Sequence, residues 1–122
     1  MPVVVASKSR FYGTVTPSAL NTETTVVEIG AQSDDYIVEG YIDASQLASG
    51  DALEIREYIA VDGSNYQLFI RTTLNDPVSE PVIRFHAKTL LAFMKYKVTV
   101  TQTSGSLRSF PYGFVLEVLG TA

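Results

Sequence analysis

Lys95-Tyr96-Lys97-Val98-Thr99-Val100-Thr101-Gln102-Thr103 alternates without a break, with Tyr96, Val98 and Val100 on one face and Lys97, Thr99 and Thr101 on the other. A period of two is that of a pleated strand, and one apolar face opposite one polar face marks an antiparallel strand that is half buried. The same alternation runs through Tyr36-Ile37-Val38-Glu39-Gly40-Tyr41-Ile42-Asp43 and through residues 53–61, both rich in the β-branched and aromatic residues that suit a pleated surface. Working outward, further strands are expected near residues 11–16, 24–30, 66–74, 82–91 and 112–119.

The intervals carry turn chemistry. Asp62-Gly63, between two alternating runs, predicts a tight hairpin of type I′, in which both central residues take positive φ. Ser104-Gly105 closes another turn, and the stretch from Asn75-Asp76-Pro77 to Pro81 reads as a longer surface loop. Helix signals are confined to residues 88–94, where a strand end fits equally, and to 44–50, one short turn at most. Eight or nine short, evenly spaced strands with helix below ~15% predict an all-β chain: a single antiparallel β-sandwich, jelly-roll-like. The apolar Val3-Val4-Val5 stands apart from this, separated from the first strand by Ser7-Lys8-Ser9-Arg10, and divides the chain into an extended arm over 1–10 and a sandwich domain over 11–122.

At 122 residues, the chain buries roughly two thirds of its unfolded surface on folding, enough for a core without metal or disulfide staples. It has no cysteine, which excludes thiolate nucleophiles, thiolate zinc sites and disulfides together. The first residues lack a basic segment and a long apolar run, and no stretch approaches the ~18 apolar residues of a membrane span, so neither a signal peptide nor a membrane partner is expected. The net charge of -4 is unevenly spread, with +2 over residues 1–22, -9 over 23–62 and +3 over the remainder. An acidic middle disfavours nucleic acid as a partner; the surface reads as a solvated face.

Reactive constellations are scarce. His86, the single histidine, lies in Ile83-Arg84-Phe85-His86-Ala87-Lys88, and strict alternation puts Arg84 and Lys88 on its face; it reads as a surface or rim residue and not a general base. Glu57 shares a face with Leu53, Ile55, Ile59 and Val61, so its carboxylate needs a partner, such as Arg108, or a bulge that turns it outward. The acids at Asp34-Asp35 and Asn75-Asp76 read as turn residues, since no loop has the spaced ligands of a calcium site. The aromatic run Phe110-Pro111-Tyr112-Gly113-Phe114 reads as core and rim packing. No catalytic residue, metal site or cofactor is expected.

Taken together, YIVEGYIDASQLASGDALEIREYIAVDGSNYQL, RFHAKTLLAFMKYKVTVTQT and SFPYGF resemble small β-sandwich proteins encoded among the virion genes of tailed bacteriophages, over residues 36–114. The resemblance implies a structural protein of the virion, made in the host cytoplasm. Its partner would be the major capsid protein or another virion protein, with capsid decoration or cementing as its task. The residues before Tyr36 lie outside it. From the strand pattern, the arm is expected to lie against a sheet edge or a neighbouring copy in a homo-oligomer. Val3, Val4 and Val5 would supply the apolar contact, while Lys8 and Arg10 meet an acidic surface. A second class of function is a glycan-binding sandwich, which requires several of Tyr36, Tyr41, Tyr58, Tyr66 and Tyr112 to gather in one exposed platform. An enzyme is a distant third.

Overall fold

The computed structural model describes residues 2–121. Met1, which belongs to the expected arm, and Ala122 lie outside the described residues. The strands are β1 (Val3–Val15), β2 (Thr24–Ile29), β3 (Tyr36–Asp43), β4 (Ala52–Ala60), β5 (Gln67–Asn75), β6 (Val82–Leu90), β7 (Lys95–Ser104) and β8 (Phe110–Thr121). They form two antiparallel four-stranded sheets, β1-β8-β3-β6 and β2-β7-β4-β5. Pairing is nested: β1 with β8, β2 with β7, β3 with β6 and β4 with β5. This is one long hairpin rolled over on itself, with β3–β8 and β4–β7 contacts closing the roll, and it bears out the jelly-roll sandwich expected from alternation.

Inward side chains of both sheets make one core, including Tyr36, Val38, Ile42, Leu53, Ile55, Tyr96, Val98, Val100, Phe110 and Phe114. Every inward residue of the opening stretch, Tyr96, Val98 and Val100, is fully buried. The Tyr36 hydroxyl donates to the Met94 carbonyl at 2.7 Å, and burial pushes this phenol up to about 12. No helix occurs among the described residues, and none is long and apolar enough to cross a membrane. Residues 88–94 are the end of β6 followed by a turn closed by Met94 N–H donating to Leu91 O at 2.9 Å.

The β4–β5 connection departs from the two-residue turn expected at Asp62-Gly63. It spans residues 61–66, and of the pair only Gly63 has positive φ (81°). The reason is the Asp62 carboxylate, which accepts hydrogen bonds from the backbone N–H groups of Ser64 (2.8 Å) and Asn65 (2.7 Å) and from Asn65 Nδ2 (2.8 Å), stabilising a wider Asx-type turn. These donors, Asn65 and Ser64 backbone first, hold the Asp62 carboxyl down at about 2. A carboxyl depressed on folding contributes stability above its unfolded value near ~4, and loses that contribution as pH falls toward the folded value. Urea melts of Asp62→Asn are therefore expected to show a shallower loss of stability between pH ~4 and ~2 than the parent chain.

The division at residue 10 falls inside a continuous strand. β1 pairs with β8 from Val3↔Thr121 to Val15↔Phe110, with one bulge between Val5 and Ser7.

Candidate interaction surfaces

At the first edge, the backbone of Val3, Val4 and Val5 pairs with Thr121, Gly120 and Leu119, yet the side chains stay 68%, 38% and 49% exposed. They are the start of the edge strand itself, and burial of their side chains is not achieved within one chain. Lys8 stands opposite Glu117 and Arg10 opposite Val115. With Glu39 and Tyr41, Lys8 and Arg10 line an open hollow of about 520 Å³ floored by Gly40 and Gly113. The valines are not part of it; Val3 lines a separate small depression beside Asp34 and Asp35.

The far edges of both sheets, β5 and β6, are separated by a groove of about 370 Å³. Ile55, Phe69, Ile70, Ile83 and Phe85 give it apolar walls, Glu57 and Lys88 lie within it, and the exposed His86 and Arg84 line it too. Leu68, Phe69 and Ile70, three consecutive residues of β5, are 46%, 51% and 44% exposed. The β4–β5 register shifts between Glu57, opposite Ile70, and Tyr58, opposite Leu68, which makes Phe69 an extra residue in β5; Phe69 and Ile70 both line the groove, while Leu68 takes the outer face of Tyr58. Nothing in the alternation of residues 66–74 announces this, because exposure here depends on how far the opposing sheet extends.

Lys88 owes its position in the groove to a bulge. β3–β6 register shifts between Val38 (opposite Lys88) and Gly40 (opposite Phe85), inserting one extra residue in β6. Strict alternation is thereby broken: Lys88 leaves the outward face of Arg84 expected for it and turns inward. Its Nζ lies 3.2 Å from Glu57 Oε1 and 5.0 Å from the centre of the Tyr96 ring. The Tyr96 hydroxyl also donates to Glu57 Oε1. Burial, and then the Glu57 carboxylate beside it, push the Tyr96 phenol up. Glu57 is thus buried as expected, but its cation is Lys88 and not Arg108.

Arg108 serves another acid. Its Nε donates to Asp51 Oδ2 at 2.7 Å, and Asp51 also accepts from the N–H groups of Ala48 (2.7 Å) and Ser106 (3.0 Å). These bonds, that of Ala48 foremost, outweigh burial and hold the Asp51 carboxyl below the usual carboxylate range. Buried Gln102 accepts from Arg108 N–H at 3.0 Å and donates to Ser104 O at 3.1 Å, fastening the β7–β8 loop at the same end. Gly105 (φ 85°) passes over this acid so closely that a Cβ there would sit 1.9 Å from Asp51 Oδ1. Sequence reasoning missed Asp51 and Gln102; the signals available were an amide in step with inward Tyr96, Val98 and Val100, and an acid two residues before inward Leu53.

The five tyrosines do not make one platform. Tyr36 is buried, Tyr112 packs half-buried at the core rim, and Tyr41 is exposed on the outer face of the β1-β8-β3-β6 sheet. Tyr58 and Tyr66 flank Lys97 on the other sheet, with Nζ 5.0 and 4.6 Å from their ring centres. Asp34 and Asp35 lie in the β2–β3 connection, where Asp34 accepts from Asp35 N–H at 2.7 Å and Asp35 from Ala92 N–H at 2.9 Å, whereas Asn75 ends β5 opposite Ala52 and Asp76 opens the loop after it. Among the described residues, no cluster of three or more His, Cys, Asp or Glu side chains is placed to hold a metal ion.

These features define a jelly-roll sandwich with apolar side chains exposed on the edge strands at both of its sides. No family model matches the chain, and no curated protein matches it in sequence. Among solved structures it is similar to the VP2 subviral particle of infectious bursal disease virus, at a TM-score of 0.48 and 10% identity over 96% of this chain and 32% of that one. The Gx strain of the same virus gives the same values, and the Gt strain gives 0.46 and 12% over 96% and 33%. The chain spans about a third of the length of these viral chains, and likeness at this level is one of chain path only.

Proposed function

We propose that this chain is a non-enzymatic structural protein of a virion, a decoration or cement protein on the outside of a bacteriophage head. It binds the major capsid protein or another virion protein through protein–protein contacts and associates with its own copies. The observation that carries this reading is the apolar surface left on edge strands: Val3, Val4 and Val5 on β1, and Leu68, Phe69 and Ile70 on β5. Proteins ordinarily blunt such edges with charge, proline or a covering element, because a free edge offers unpaired backbone donors and acceptors to another chain. Apolar residues kept on a free edge are suited to assembly. Fold alone does not specify a role, as jelly rolls serve capsids, lectins and enzymes of the cupin kind alike.

The arm contributes the first contact. Val3, Val4 and Val5 supply apolar and backbone pairing, and Lys8 and Arg10 orient it against an acidic surface, with exposed pairs worth only ~0.2–1 kcal/mol each and screened by salt. Deleting residues 1–10 is expected to abolish attachment to particles and self-association while circular dichroism still reports a folded β-protein; reversing the charge of Lys8 and Arg10 only weakens both. Co-sedimentation of the purified protein with particles lacking it, together with sedimentation equilibrium, reads the two. A truncated chain that attaches and associates like the full-length one removes the arm from the proposal, and a full-length chain that never co-purifies with particles removes the virion role.

A further inference from the structure

The geometry points to the β5–β6 groove as a docking site for an extended segment of a different protein, one that alternates apolar and acidic residues and adds a strand to the free edge of β5. This goes beyond the virion role and holds whether or not that role does. Three observations converge on it. First, β5 pairs only with β4, so the backbone N–H and C=O groups on its other side are unpaired, above and below a bulge at Phe69. Second, the edge opens directly into the 370 Å³ groove, so a strand laid along β5 would send alternate side chains against Phe69, Ile70 and Ile83. Polar groups at depth do not oppose this, because Glu57 already has Lys88 and Tyr96 as partners.

Third, the unpaired charge beside this edge is cationic. Arg71 is exposed on the outer face of β5, opposite Arg56, and Arg84 lines the groove from β6. Among the described residues neither has a carboxylate within 4 Å, as the ion pairs there involve Arg56, Lys88 and Arg108. The acid nearest the floor, Glu57, is matched by Lys88. An incoming strand therefore meets two unmatched guanidiniums, and carboxylates between its apolar residues complement them.

The same charge argues against a second copy as the occupant. The β1 strand of a second copy carries Lys8 and Arg10 on the edge itself, with Glu117 and Glu39 set back on β8 and β3, so laid along β5 it would bring cations up to Arg71. β2, the opposite edge of the same sheet, keeps Val26 and Val27 in the core. Its flanking acids are engaged at home, Glu23 by Tyr58 and Thr99 and Glu28 by Tyr66 at 3.0 Å.

Two nine-residue peptides test this, one alternating valine and glutamate and one alternating valine and lysine, each capped at both ends. With the full chain, calorimetry is expected to show the glutamate peptide binding at least about tenfold tighter, with affinity falling as salt rises. Hydrogen exchange is expected to slow at the β5 amides and not at β1 or β2. Ile70→Glu is expected to cost tenfold or more in affinity, and the pair Arg71→Glu with Arg84→Glu to reverse the preference between peptides. Both sites are exposed, and unchanged thermal melting of the variants separates lost docking from lost folding. Equal binding of the two peptides, binding without protection of β5, no binding at all, or protection of β5 by rising protein concentration alone would each overturn the inference, the last by making a second copy the occupant.

Discussion

Gly40→Val is expected to cost more than about 3 kcal/mol of folding stability, enough to leave a sandwich of ordinary stability largely unfolded on mild denaturant. Gly40 lies on the inward face of β3, opposite Phe114 of β8. A Cβ at this position would stand 2.2 Å from Phe114 Cδ2 and 2.6 Å from the Gly113 carbonyl oxygen. The Phe114 ring cannot swing away freely, being packed on Phe85 with ring centres 5.1 Å apart. Core packing leaves no space to absorb added methyl groups, and the backbone oxygen cannot move without shifting β8. Gly113 supplies the control: a Cβ there meets nothing within 4 Å, so Gly113→Ala should stay within about 0.5 kcal/mol of the parent. Urea denaturation followed by circular dichroism compares the two. Equal midpoints would mean that Phe114 does not occupy the space above Gly40.

The second large effect is expected at the buried pair in the groove. Lys88→Met removes the cation beside Glu57 while keeping the length of the side chain, and should cost about 3–5 kcal/mol, the usual consequence of leaving one member of a buried pair uncompensated. Replacing Glu57 alone leaves the buried Tyr96 hydroxyl without its acceptor, which itself costs about 1–3 kcal/mol. The triple variant Glu57→Leu, Lys88→Met, Tyr96→Phe removes all three polar groups and is expected to return to within about 1 kcal/mol of the parent or above it. Denaturation midpoints of the single and triple variants measure the coupling. A cost under ~1 kcal/mol for Lys88→Met would show that the pair is solvated and not held by burial.

Much of this architecture was legible because alternation is a local property. Each of the eight strands overlaps an expected one, three of them runs of period two, although β1 starts at Val3 and takes in the expected arm; the inward members of the 95–103 and 36–43 runs are buried. The errors have local physical causes. At Asp62-Gly63, a carboxylate accepting three hydrogen bonds favoured a wide turn over the tight one that the dipeptide suggests. At Lys88, one inserted residue in β6 reversed the face of everything after it, and a bulge is set by the partner strand's register, which no single run contains.

The candidate surfaces divide in the same way. The apolar arm residues and the basic pair Lys8 and Arg10 stood out from composition alone, whereas the groove beside β5 did not. Leu68, Phe69 and Ile70 look in sequence like the middle of any half-buried strand. Arg108 looked as good a partner for Glu57 as Lys88, and only the folded chain places it on Asp51.

From sequence alone followed the all-β class, the two-sheet sandwich, the strand positions and the absence of thiol and multi-histidine chemistry, because these depend on side-chain period and composition. The order β1-β8-β3-β6 over β2-β7-β4-β5 fixed which strands are edges, which acids find cations and which apolar residues stay uncovered. Those outcomes belong to tertiary structure, since exposure and pairing are set by residues far apart in the chain that meet only when the long hairpin rolls up.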